Sequence, residues 1–133
     1  MSTKYVLDSS VIAAIFFREQ SSQKAVRAVE GSQLVTVDLA RVEVANVAWN
    51  RVTLFDEGPE LITKAFKMSM EFIDTNCKVI STQNLAEKAL QIALGEKISF
   101  YDSLFLAAAL KEKVPLLTLD KRLGNTSNTV EIL

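Results

Sequence analysis

Apolar residues fall along this chain in short blocks that alternate with longer stretches of helical spacing. The block KYVL ahead of Asp8 is β-branched and aromatic and predicts a strand, and SSVIAAIFFRE after it reads as a mostly apolar helix. A more charged helix is expected over Ser22 to Glu30, ending at Gly31 as its C-cap. QLVTV predicts a buried strand, after which Asp38 is expected to cap a helix running from about Leu39 into Leu54. Glu57, Gly58 and Pro59 break the pattern, and PELITKAFKMSMEFID restarts a helix with proline in its first turn. KVIS predicts another strand, and TQNLAEKALQIALGE an amphipathic helix with Thr82 as its cap. The helix in SFYDSLFLAAALKEK, the strand LLTLD, a turn at KRLG and a closing strand in TVEIL complete the chain.

The strand blocks are hydrophobic without strict alternation, which predicts a parallel sheet covered on both faces. The expected class is therefore α/β, a three-layer α/β/α sandwich in a single domain over residues 1–133. Trp49, Phe55, Phe66, Met68, Met70 and Phe72 are assigned to the core, although the two middle helices carry more large apolar side chains than one sheet face readily covers.

Composition narrows the chemistry. The 133 residues include no histidine and one cysteine, Cys77. These absences exclude an internal disulfide, a thiolate metal cluster and any Ser-His-Asp or Cys-His arrangement. An enzyme built from this chain rests on carboxylates, hydroxyls, lysines or a metal held by oxygen. The formal net charge of −1 counts against a nucleic-acid partner, since such domains are typically basic. No apolar run is long enough to cross a bilayer and no basic-then-apolar leader opens the chain, so the expectation is a cytoplasmic protein without membrane contact.

Acids then fall at telling places. Asp8 and Asp120 each follow a predicted strand directly, Glu43 lies one turn into the helix after the second strand, and Asp102 stands in the first turn of a greasy helix. Functional groups of open parallel sheets gather beyond the carboxyl ends of the strands, where these four would meet. Each also has a purely structural reading. Asp8 and Asp120 suit N-caps, Ser99 with Asp102 resembles a capping box, and Glu43 alone reads as an exposed helix residue. The neighbours of Glu43 weaken that last reading: Leu39, Ala40, Asn46, Val47 and Asn50 share its face and carry no charge. Four carboxylates at one sheet edge repel one another unless some are protonated or a cation sits among them. Oxygen-only ligands suit Mg²⁺ or Mn²⁺, and such a site activates water and stabilises the leaving oxygen of a phosphodiester.

In the order VLDSS, RVEVANVAWNR, FYDSLFLAAAL and LLTLDKRL the chain resembles the PIN domain, in particular the toxin half of VapBC-type toxin–antitoxin pairs. The resemblance spans nearly the whole sequence. It implies a central parallel sheet between helices and Mg²⁺- or Mn²⁺-dependent cleavage of RNA that leaves a 5′-phosphate. Carried over by position, Asp8, Glu43, Asp102 and Asp120 match the family's acids, with Ser9 and Thr118 as supporting hydroxyls. Asp8, Asp102 and Asp120 would hold the metal, and Glu43 would be either a ligand or the group that orients bound water. Arg41, Arg51, Lys121 and Arg122 are candidate contacts to RNA phosphates, each also readable as an ordinary solvated charge. The resemblance further implies a homodimer and a cognate antitoxin whose arginine enters the acidic pocket.

Three other readings stand beside this one. A haloacid-dehalogenase-like phosphatase also places Asp after its first strand, but needs a second Asp where this chain has Ser10. A response-regulator receiver needs paired acids at the first strand end. The third is a catalytically weak PIN-like module that binds RNA or protein.

Overall fold

The computed structural model describes residues 3–133, so the first two residues of the expected 1–133 domain lie outside the described residues. The strands are β1 (Lys4–Leu7), β2 (Gln33–Val37), β3 (Cys77–Ile80), β4 (Leu116–Thr118) and β5 (Val130–Ile132). The helices are α1 (Ser9–Phe16), α2 (Ser22–Val29), α3 (Leu39–Thr53), α4 (Pro59–Asn76), α5 (Thr82–Glu96) and α6 (Phe100–Glu112), with a 3-10 helix (Lys121–Asn125) where a plain turn was expected at KRLG. Among the described residues no helix is long and apolar enough to cross a membrane.

The sheet order is β3-β2-β1-β4-β5 and every pairing is parallel. The chain steps outward from β1 to β3, then returns across the sheet to lay β4 against the other side of β1. Right-handed crossovers in opposite directions put their helices on opposite faces. Accordingly α1 packs on β1 and β4 and α4 on β3, whereas α6 lies over β1, β2 and β4 with α5 outside it. This is the α/β/α sandwich that the apolar blocks predict. β4 is buried throughout and β2 in four of its five residues, the burial that removes alternation from a central strand. In α6 the run from Ser103 to Ala109 is buried without interruption, because the helix is enclosed between α5 and the sheet.

Several local expectations change. Helix α2 ends at Val29, and Gly31 adopts φ +71° just beyond it, the left-handed step that glycine takes most cheaply. Thr82 is the first residue of α5 rather than its cap; Ser81 is the cap, and its Oγ accepts from the Gln83 N–H at 3.2 Å. Asp38 does not cap α3. Its own backbone is helical (φ −57°, ψ −26°), whereas a capping residue needs extended dihedrals. Its Oδ1 instead accepts from the Thr82 N–H at 2.9 Å, so the acid at the end of β2 caps the helix that starts from β3. Trp49, Phe55 and Met68 are exposed rather than core, while Phe66, Met70 and Phe72 pack partly buried against the core. A sheet face has room for only one row of helix side chains, and α3 and α4 carry more than that row. Burial pushes the Cys77 thiol up to about 12, which leaves no reactive thiolate.

Asp38→Ala should lower stability by about 1 kcal/mol, the usual loss for a helix cap, while Asp38→Asn should retain most of it. Urea denaturation of the three proteins checks this.

Candidate active site

The order in which strands are added reverses between β1 and β4, and a crevice opens there beyond the strands' carboxyl ends. Val6 pairs with Leu116 and Leu7 with Leu117, so the next residues, Asp8 and Thr118, face each other where the ladder ends. The Asp8 N–H still donates to the Leu117 carbonyl at 3.3 Å, and beyond that the pairing passes to side chains.

Asp8 is buried, at 6% exposure. Its Oδ1 accepts from the Val11 N–H at 3.2 Å, which makes it the N-cap of α1, and from the Ser10 hydroxyl at 2.6 Å. Its Oδ2 accepts from the Thr118 hydroxyl. Both hydroxyls are themselves held by backbone amides: Leu119 N–H donates to Ser10 Oγ at 3.1 Å, and Asp120 N–H donates to Thr118 Oγ1 at 3.0 Å. Desolvation dominates the carboxyl's proton affinity. It lifts the pKa to about 6 against the opposing hydrogen bonds, and the Asp102 charge pushes in the same direction as desolvation.

The other acids arrive from the flanking helices and the last strand. Glu43, half-buried on α3, has Oε1 accepting from the Ser9 hydroxyl at 2.7 Å. Burial raises its pKa, and the Asp102 charge raises it further. Asp102 stands in the first turn of α6, where its N–H donates to Ser99 Oγ at 3.0 Å. That is half of the expected capping box: among the described residues no hydrogen bond or ion pair engages the Asp102 carboxylate, whose charge is felt at Asp8 and Glu43. Asp120 caps the 3-10 helix through its bond from the Arg122 N–H at 3.0 Å. The Arg122 guanidinium also grips it, at 2.6 Å from Nη2, and holds its pKa below the ordinary carboxylate range.

Thus the structure joins Asp8, Thr118 and Asp120 by hydrogen bonds, and Ser9 to Glu43. Asp102 acts on Asp8, Glu43 and Arg122 through its charge. Two of the four candidate cations sit elsewhere. Arg41 pairs with Asp74 of α4 at 2.6 Å. Arg51 lies about 12 Å along α3 from Glu43 and braces Glu19, Glu57 and the Arg18 carbonyl. Lys121 is exposed beside the crevice without an ion pair among the described residues, and Arg122 points back onto Asp120. The residue that sequence reasoning missed is Ser10. A serine in a helix's first turn is too ordinary to signal a role; only the return of β4 beside β1 brings Leu119 to it. A cavity of about 480 Å³ adjoins the acids, lined by Ser9, Ser10, Glu43, Asn46 and Tyr101 with an apolar wall of Leu39, Val42 and Val47.

The donor set is oxygen only, which fits Mg²⁺ or Mn²⁺ and not zinc or copper. None of Asp8, Glu43 or Asp102 has a cationic partner within 4.0 Å among the described residues, and Arg122, which feels the Asp102 charge, is already paired with Asp120. Asp8 Oδ2 receives one hydrogen bond and retains a lone pair for a cation. Among the described residues no three His, Cys, Asp or Glu side chains are gathered closely enough to enclose a metal. A metal held by Asp8, Asp102 and Asp120 would therefore require these side chains to draw together, or one or two of them to share the ion with water and substrate phosphate.

The raised pKa of Asp8 has a definite sign for stability. The folded chain holds this proton more tightly than the unfolded chain, so Asp8 favours folding below about pH 4, and that advantage is lost as pH rises through about 6. Between about pH 4 and about pH 7 the wild type should lose on the order of 2 kcal/mol relative to Asp8→Asn. Denaturant titrations of both proteins at a series of pH values measure the difference.

The PIN domain model matches residues 5–128. A ribonuclease, VapC3 of Pyrobaculum aerophilum, is 36% identical over 126 residues, covering 91% of this chain and 92% of that protein. Among solved structures, PAE2754 from Pyrobaculum aerophilum has a TM-score of 0.75 at 20% identity, covering 98% of this chain and 83% of that one. A toxin–antitoxin complex from Klebsiella pneumoniae contains a chain with a TM-score of 0.70 at 15% identity, covering 96% of this chain and 95% of its own. At these identities the two structures show a shared fold. A match that opens in β1 and runs beyond the 3-10 helix takes in every acid around the crevice, and the chain belongs to the PIN domain family.

Proposed function

We propose that this protein is a metal-dependent endoribonuclease, the toxin of a type II toxin–antitoxin pair, using Mg²⁺ or Mn²⁺. The single observation that carries the reading is the buried Asp8 carboxylate at the β1–β4 crevice, held on both oxygens by hydroxyls and with no cationic partner within 4.0 Å among the described residues. The likeness to a ribonuclease at 36% identity supports the choice of RNA as substrate. Asp8, Asp102 and Asp120 are the residues to hold the ion. Bound there, it would supply Lewis acidity toward the phosphodiester and ease deprotonation of water.

The chain's own residues do the rest. Ser10 and Thr118 fix the plane of the Asp8 carboxylate, one on each oxygen. Ser9 holds Glu43 at the cavity wall, and the raised proton affinity of Glu43 suits a group that orients an attacking water and takes its proton. Lys121 is placed to hold a flanking phosphate, and Arg122 becomes free to do so once it leaves Asp120. For partners, an antitoxin and a second copy of the chain are supported by the apolar groove between α3 and α4, about 340 Å³ and lined by Ala48, Trp49, Val52, Ile62 and Phe66.

A second reading, a PIN-like module that binds RNA or protein and hardly cleaves, is favoured by one observation: the Asp120 carboxylate is already neutralised by Arg122. Metal-dependent turnover separates the two. Purified protein should cleave RNA with Mn²⁺, stop with EDTA and leave 5′-phosphate ends. Asp102→Asn should lower the rate by at least about 100-fold, beyond what residues outside the ligand set typically cost. Cleavage that survives chelation sinks the proposed mechanism, and intact RNA under all metals leaves the binding module. Because Arg122 competes for Asp120, Arg122→Ala should tighten Mn²⁺ binding by about two- to fivefold in calorimetry, the modest effect expected of an exposed ion pair.

A further inference from the structure

We propose that Ser10 is a positioning residue for the candidate metal site, tying the Asp8 carboxylate to the segment that carries Asp120. The proposal rests on the metal-dependent reading above and assigns a part to a side chain that reading does not need as a ligand.

Backbone pairing between β1 and β4 ends at Leu7 and Leu117, with one last bond from the Asp8 N–H. Past that point Leu119 and Asp120 leave the sheet for the 3-10 helix, and nothing in the strand ladder holds them to β1. Two hydroxyls take over. Thr118 reaches across from the β4 side and Ser10 from the first turn of α1, and the two connections have the same chemical logic. An amide N–H can only donate, so the bond from Leu119 N–H, at 3.1 Å, fixes Ser10 Oγ as an acceptor. The hydroxyl's one proton is then free for Asp8 Oδ1, at 2.6 Å. Thr118 repeats the pattern, accepting from Asp120 N–H at 3.0 Å and donating to Asp8 Oδ2.

Each oxygen of one carboxylate is thus tethered, through one hydroxyl, to one of two successive amides, those of Leu119 and Asp120. A carboxylate tied to the loop through both oxygens is held to it more firmly than one tied through a single oxygen. Without Ser10, the half-buried Leu119 N–H loses its acceptor and Oδ1 keeps only the Val11 amide. Thr118 would still join Oδ2 to the Asp120 amide, but Oδ1 and the Leu119 backbone would lose their tie to each other. Ser10 also lines the cavity beside Glu43, so an added methyl has space there.

The test uses the full chain as wild type, Ser10→Ala, Ser10→Thr and Ser10→Cys, with Mn²⁺ titrated by calorimetry and amide exchange followed by NMR without metal. Ser10→Ala should weaken Mn²⁺ binding by about 10- to 100-fold, as for groups that orient metal ligands. Ser10→Thr, which keeps the hydroxyl, should restore it to within a few-fold, and Ser10→Cys, a weaker donor, should fall between. In the metal-free protein the Leu119 amide should exchange faster in Ser10→Ala and recover in Ser10→Thr, with thermal denaturation showing all four proteins folded. Mn²⁺ affinity unchanged in Ser10→Ala, or equally lost in Ser10→Thr, overturns the proposal. If the wild type itself takes up no Mn²⁺, the metal reading of the site fails, and the tie between Asp8 and the loop is decided by the amide arm alone: unchanged Leu119 exchange overturns it.

Discussion

A single buried carboxylate, Asp8, at the end of a parallel strand pair organises this molecule. Placing a carboxyl group at the mouth of an apolar core is unfavourable, and desolvation accordingly lifts its pKa toward neutrality. The fold answers with hydrogen bonds rather than with a cation. Two hydroxyls and an amide converge on Asp8 from elements that must already be in place: Ser10 and the Val11 amide from the first turn of α1, and Thr118 from the end of β4. Any arrangement that satisfies Asp8 therefore also sets where α1 starts and where the chain leaves β4. The crevice is a consequence of that satisfaction.

The same economy explains how a chain without histidine assembles a polar site. Serine and threonine both accept and donate, so each can join a backbone amide to a carboxylate, which neither lysine nor arginine can do. Ser9, Ser10 and Thr118 form this layer and leave the acids themselves free of cations at their outer edges. Asp120 is the exception, because Arg122 stands over it in the exposed part of the crevice. The result is a graded arrangement: a buried acid fixed in plane, two half-buried acids coupled by repulsion, and an outer acid with a removable counter-charge. Solvent grades them, since the pairing charge is found only where water lowers its cost.

Outside the crevice, the cations of α3 serve the fold. Arg51 gathers Glu19, Glu57 and a backbone carbonyl, closing the loops at the far end of the α1 and α3 layer, and Arg41 ties α3 to α4. The large apolar side chains left over on α3 and α4, Trp49 and Phe55 among them, stay exposed beside a groove. Contiguous exposed apolar faces of that kind are a common feature of interaction surfaces.

The sequence by itself determined the class of fold and the order of its elements. Short apolar blocks of four or five residues without alternation, bounded by turn residues, fit strands buried on both faces, and that signal is local to each block, as QLVTV and LLTL show. It also excluded histidine chemistry and a thiolate cluster, because a side chain that is absent cannot be supplied by folding. The acids were legible for the same reason: each stands directly after a strand or at the head of a helix. Tertiary structure decided the rest. Asp38 caps a helix 44 residues away rather than its own, Arg51 is a brace rather than a rim charge, and Ser10 meets Leu119 across the sheet. These contacts depend on which strands lie side by side, and the long return from β3 to β4 that sets this leaves no periodicity in the sequence. Hydrophobic pattern is written residue by residue, whereas the direction in which a hydroxyl or guanidinium finds its partner exists only once the sheet has been ordered.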